Sequence, residues 1–246
     1  MLTIIKLIIY YFAYQVGFSA VMTGINLFIT PLSTATMTSL TMVASTLMMS
    51  WHLLHFGYVR LARDRYKEVT PAVWAVAVIF IIAAMYVLNL VIEQIGIPNT
   101  MEETFIAMSR NPWGALSIAL LAPILEELLF RGAIQGYLQE MNVRPWKAIV
   151  AASLIFGVTH LNPAQIPFAF LLGMIFGWLY YRTGSLLPGI VGHVLNNSVA
   201  TINMIANGNE TLAEQIQNPL LMWTWAIVAA IACCLAALWL NKNIAR

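Results

Sequence analysis

Apolar runs follow one another along nearly the whole chain, separated by short polar interruptions. Eight of them reach or approach the roughly 20 residues that carry a helix across about 30 Å of hydrocarbon: 2–29, 36–59, 71–95, 113–138, 146–160, 164–181, 185–206 and 220–240. Inside lipid each backbone N–H and C=O must be satisfied within its own segment, so every run is predicted to be helical. The longest interruptions, around 60–70, 96–112 and 207–219, are short, and no repeat or low-complexity tract lies in them. The expected fold is all-α: a polytopic membrane protein of about eight transmembrane helices, with 1–246 as a single integral membrane domain. The first run is too long for the core of a signal peptide and is expected to remain as an anchor.

Composition removes the soluble alternative. Of 246 residues, 61% are hydrophobic and 9% charged, against about 25% charged in soluble domains, so the surface of a soluble fold could not be covered. The net charge of +2 says little, but its distribution does. Eight crossings that begin in the cytoplasm put Lys6, Arg60, Arg63, Arg65, Lys67, Arg144, Lys147, Arg182, Lys242 and Arg246 on or toward the inner face. Glu102, Glu103, Glu210, Glu214 and the single basic residue Arg110 fall outside. Lysine and arginine accumulate on the cytoplasmic side of short loops, so both termini are expected inside. Nucleic-acid binding is not indicated, because the basic loop is short and interleaved with Asp64 and Glu68. Adjacent Cys233 and Cys234 form neither a CxxC motif nor a separated ligand pair and read as small apolar side chains, with palmitoylation as the alternative.

Against this background a few polar residues stand out. Glu126, Glu127 and Arg131 lie inside the run 113–138, where each charge costs roughly 3 kcal/mol even on lenient insertion scales. Glu127 and Arg131 are spaced i, i+4 and can form a charge-assisted pair on one helix face. Glu126 points about 100° away and is left for other work. Pro123, three residues earlier, removes a helical hydrogen bond and invites a kink. His160 closes the fifth run in Phe156-Gly157-Val158-Thr159-His160, before Asn162-Pro163, and His193 and Asn197 share a face of the seventh. Carboxylates, two imidazoles and an amide within three apolar segments supply a base for water and donors for a developing oxyanion. His52 and His55, beside the basic loop, read as interfacial side chains.

In this order, Glu126-Glu127-x-x-x-Arg131, Phe156-x-x-x-His160 and His193-x-x-x-Asn197 resemble the three motifs of the CAAX-protease and bacteriocin-processing family of intramembrane proteases, also called CPBP or Abi. The resemblance covers about 113–204, with 113–206 as the motif-bearing catalytic core. It implies an intramembrane endopeptidase acting on a membrane-associated protein or peptide, with the lipid bilayer as its other partner and no nucleic acid. Glu126 and His160 would activate water, and His193 with Asn197 would hold the oxyanion. Glu127 paired to Arg131 would support Glu126.

The resemblance leaves metal dependence open. A His, His, Glu set is a catalytic zinc inventory, so a divalent metal such as Zn stands beside a metal-free route. Two further readings compete: a non-catalytic scaffold or bacteriocin-immunity protein of the same fold, and a proton-coupled transporter, which lacks the internal halves expected of one. A bacterial plasma membrane is the expected location. His160 would lie near the outer end of a short fifth span. The expectation is that 160–163 forms a buried turn, with Gly173 and Gly177 letting the sixth helix pack closely.

Overall fold

The computed structural model describes residues 2–59, 69–208 and 210–244. Arg60, Arg63, Arg65, Lys67 and Arg246, which contribute to the charge asymmetry, lie outside the described residues. Among the described residues all regular structure is helical: α1 Leu2–Phe28, α2 Thr34–His55, α3 Pro71–Ile95, α4 Glu102–Ser109, α5 Pro112–Glu140, α6 Pro145–Thr159, α7 Gln165–Thr183, α8 Leu187–Asn207, α9 Leu212–Ile216 and α10 Pro219–Asn243.

The helix starts follow a repeated local rule. Thr70, Asn111 and Asn218 each cap a helix with a side-chain oxygen that accepts from a first-turn N–H, and each is followed by proline. Proline at that position gives up an N–H that had no helical partner anyway. Helices α3, α7 and α8 end on left-handed glycines, Gly96, Gly184 and Gly208.

Each of the eight apolar runs is helical, but among the described residues only α1, α3, α5 and α10 are both long and apolar enough to cross a membrane. Helix α6 has 15 residues, about 23 Å of rise, short of the hydrocarbon thickness. Helices α2, α7 and α8 have sufficient length, 22, 19 and 21 residues, but are less apolar on average.

The chain forms two compact units. In the first, residues 1–59, 101–134 and 193–209, α2 packs against α1, α4 and the first half of α5. Gly114 permits that approach, since a Cβ there would meet the Met108 carbonyl and Ser39 Oγ. Helix α5 is not uniform. Wider π turns occupy Ser117–Leu121 and Glu127–Gln135, and such turns recur at functional sites because they leave backbone groups for other partners.

The second unit comprises 60–100, 135–192 and 210–246. Its core joins α3, α7 and α10 through Val73, Phe80, Ile81, Leu172, Phe176 and Leu240. Helices α6 and α7 form a tight hairpin, in which Gly157 faces the Ile166 carbonyl at 2.8 Å from where a Cβ would sit. Gly177 lies equally close to the Gln135 amide, whose Nε2 donates to the Gly177 carbonyl at 2.8 Å. Buried Arg182 donates to the carbonyls of Asn241 and Ile244, both at 2.7 Å, and so ties α7 to the end of α10.

Candidate active site

Five of the six residues singled out by sequence fall in the first unit. Glu126, Glu127 and Arg131 lie on α5, and His193 and Asn197 on α8. Glu127 Oε1 stands 3.0 Å from Arg131 Nη1, the ion pair expected from the i, i+4 spacing. The same oxygen stands 3.0 Å from His193 Nδ1, a contact that no local spacing predicts. The other ring nitrogen, Nε2, lies 3.4 Å from Glu126 Oε2. His193 therefore stands between the two adjacent glutamates.

Charge counting explains why this arrangement survives burial. Glu127, Arg131 and His193 are almost fully removed from solvent, and an unpaired charge there would be prohibitively costly. With His193 doubly protonated, two acids and two bases alternate and sum to zero, and each ring N–H faces a carboxylate oxygen. Neutral His193 can donate to only one of the glutamates. Within the pair of acids the environments differ: the Glu126 side chain is 13% exposed and the Glu127 side chain 1%. Glu126 is the more exposed of the two carboxylates.

Asn197 is held by the irregularity of α5. In the first π turn the Ala122 N–H donates to the Ser117 carbonyl, five residues back. The next bond in that register would run from residue 123 to the Ile118 carbonyl, and residue 123 is proline, which has no N–H. Asn197 Nδ2 donates to that carbonyl at 3.0 Å instead. Its Oδ1 accepts from Asn196 Nδ2 at 3.0 Å. One Asn197 N–H is thus committed to the Ile118 carbonyl and orients the other.

His160 belongs to the second unit, at the C-terminal end of α6. Its Nδ1 is 2.8 Å from the Phe156 carbonyl, and its ring stands edge-on to that of Phe156. A carbonyl only accepts, so Nδ1 carries the proton and Nε2 is the basic nitrogen of the neutral ring. The following turn is pinned by Asn162, a residue the sequence marked only as part of a turn. Asn162 is completely buried; its Oδ1 accepts from the Thr100 N–H at 3.2 Å and its Nδ2 donates to Asn99 Oδ1 at 2.8 Å. Leu161 takes a left-handed φ of 53° beside it. On either side of the buried Asn162, Leu161 and Pro163 are exposed.

Sequence reasoning missed Gln135 and Tyr11. Gln135, one turn past Arg131, is fully buried against Gly177, and an amide in an apolar run was the available signal. Tyr11 packs edge-on to Phe130 with ring centroids 6.4 Å apart, within electrostatic reach of Glu126. More than a hundred residues separate it from the motif, and no spacing marks it.

Among the described residues no three His, Cys, Asp or Glu side chains group as a metal site. His193 turns both nitrogens toward carboxylate oxygens, so Glu126, Glu127 and His193 do not by themselves fit a resident metal.

With this geometry in place, comparison with known proteins is informative. Residues 108–199 match the family described as type II CAAX prenyl endopeptidase Rce1-like. This segment belongs to that family. It contains all six residues, from Glu126 to Asn197. Over 117 residues the chain is 33% identical to the membrane-embedded CAAX protease MroQ of Staphylococcus aureus (strain USA300), covering 45% of this chain and 46% of that protein. Over 97 residues it is 29% identical to YdiL of Bacillus subtilis (strain 168), a membrane peptidase by name, covering 39% of each. The matches thus span less than half the length of either relative. No solved structure matches the chain.

Proposed function

We propose that this protein is an intramembrane endopeptidase that hydrolyses a peptide bond of a membrane-associated protein or peptide. The observation that carries the reading is the inequality of the two adjacent glutamates. Glu127 is consumed by Arg131 and His193, whereas Glu126 has only a longer contact and partial exposure. A carboxylate kept in reach of water, in a segment that otherwise excludes it, suits a general base.

In this reading Glu126 and, by family resemblance, His160 Nε2 take a proton from the attacking water. The hydroxide adds to the scissile carbonyl carbon, and the proton passes to the leaving amine as the C–N bond breaks. The developing oxyanion receives His193 Nε2–H, which exchanges its loose contact with Glu126 for it, and the second Asn197 N–H. Such donors are often worth about 3 kcal/mol each in the transition state. Glu127 and Arg131 hold His193 in place. No step runs through a metal.

We further place the chain in a bacterial plasma membrane with eight crossings and both termini in the cytoplasm, supported by the eight helical apolar runs and by the one-sided lysines and arginines. Cysteine labelling at Lys242 from the inside and at Glu102 and Glu210 from the outside tests that topology.

The catalytic reading is tested by exposing a library of membrane-inserting peptides to the purified protein and sequencing the products, with Glu126→Gln as control. Cleavage that falls by roughly 10²-fold or more in the variant, without loss of folded protein, is expected. An uncleaved library, or cleavage that persists in Glu126→Gln, overturns it and favours a scaffold of the same fold.

A further inference from the structure

Four polar residues of α1 are regularly spaced. Tyr11, Gln15, Ser19 and Thr23 recur at every fourth position of a 27-residue apolar helix, so they run along one face. Next to Tyr11 this face borders a wide-open cleft of about 640 Å³, lined by Gln15, Val16, Ser19, Ala20 and Thr23 of α1 and by Thr41 of α2. A second cleft on the same two helices, about 410 Å³, is lined by Phe18, Ala44, Leu47, Met48 and Trp51. That second cleft suits a lipid acyl chain, which has no use for hydroxyls and amides. The polar cleft calls for a ligand that forms hydrogen bonds.

Tyr11, one turn before Gln15, connects this face to the candidate active site. Tyr11 packs on Phe130, one turn past Glu126, and the Tyr11 hydroxyl and the Gln15 side chain are hydrogen-bonded. The polar face therefore rises from the catalytic glutamate's neighbourhood along α1. Successive rungs are four helical residues apart, about 6 Å. An extended polypeptide presents a same-side N–H and C=O every two residues, about 6.6 Å. Gln15, Ser19 and Thr23 are thus spaced to meet alternate residues of an extended chain over roughly five residues.

We propose that this α1/α2 cleft is a substrate subsite that binds the main chain of the polypeptide in extended form. The proposal rests on the proteolytic reading of the site. A helical segment hides its peptide bonds, and unwinding it inside the bilayer strands backbone donors and acceptors that must be satisfied elsewhere. Gln15 offers both donor and acceptor, and the Ser19 and Thr23 hydroxyls can each accept. Thr23 Oγ1 already donates to the Ser19 carbonyl at 2.9 Å and keeps its lone pairs for a substrate N–H.

The test uses the full chain in nanodiscs of phosphatidylethanolamine and phosphatidylglycerol. The probe is a capped Ala/Val peptide of about ten residues with a central benzophenone. It is compared with its analogue N-methylated at alternate residues, which cannot donate from those positions. Photolabelling is run in Glu126→Gln protein, where the probe is not consumed, and mapped by mass spectrometry. The expected result is labelling of α1 and α2 at the cleft. It should be weakened roughly tenfold by N-methylation and by the triple variant Gln15→Leu/Ser19→Ala/Thr23→Val.

These replacements keep an apolar helix apolar, and a thermal scan checks that the variant is folded. Absent labelling, equal labelling by the two peptides, labelling that maps elsewhere, or labelling unchanged in the triple variant overturns the subsite. Labelling requires no turnover, so an uncleaved peptide library sinks the catalytic reading without deciding this one. If peptides are cleaved, the triple variant should raise KM and leave kcat; an unchanged KM overturns the subsite alone.

Discussion

His193 Nδ1 and Arg131 Nη1 share a single carboxylate oxygen, Glu127 Oε1, each at 3.0 Å. One acid thus anchors two bases from different helices, α5 and α8. Removing Glu127 should leave Arg131 without its shared acid in a nearly dry site. Glu127→Ala is expected to destabilise the protein by about 3–5 kcal/mol. The volume-conserving Glu127→Leu/Arg131→Met pair should recover most of that loss while cleavage stays absent. Thermal unfolding in detergent reads the first quantity and peptide hydrolysis the second. An Arg131-containing Glu127→Ala protein as stable as wild type would show that the shared carboxylate does not hold the helices.

Asn197 is argued to have two duties, one structural and one catalytic, and proline chemistry separates them. Asn197→Ala leaves the Ile118 carbonyl without its donor, at about 1–3 kcal/mol, and should lower kcat by roughly 10²-fold. Adding Pro123→Ala restores a backbone N–H at residue 123 and should recover stability but not kcat. If the double variant regains activity as well, the oxyanion assignment is wrong and Asn197 only maintains the bend of α5.

Gly157 sits where a methyl group would press on the Ile166 carbonyl, 2.8 Å away, and on Phe170. Backbone cannot yield as a long side chain can, so Gly157→Ala should cost about 1–3 kcal/mol and loosen the α6/α7 hairpin that carries His160. Amide exchange across 145–183 that matches wild type would contradict this packing account.

On α9, which is not among the candidate spans, Glu214 accepts from the Thr211 N–H at 2.7 Å and from its hydroxyl at 2.9 Å, closing a capping box. These bonds hold its carboxyl below the ordinary value of 4.5. A depressed carboxyl contributes its stabilisation in full above the unfolded value and loses it as pH falls through the folded one. Protection of the Thr211 and Glu214 amides should therefore be constant above about pH 4.5 and decline below it. Glu214→Gln should lack the decline, and a wild-type decline centred above neutrality would contradict the cap.

The sequence alone determined what depends on neighbours along the chain. Helix starts follow from Thr70-Pro71, Asn111-Pro112 and Asn218-Pro219, and the Glu127–Arg131 pair from helical pitch, because a one-dimensional repeat fixes which side chains share a face. The motif order that marks residues 108–199 was equally legible. Tertiary structure decided the rest. That His193 turns toward Glu127 and Glu126, sixty-six and sixty-seven residues away, depends on how α8 packs on α5. That Asn197 serves Ile118 depends on a π turn whose register places Pro123 opposite that carbonyl. Helical periodicity is blind to both, because it records the face a residue occupies and not the partner which packing brings to it.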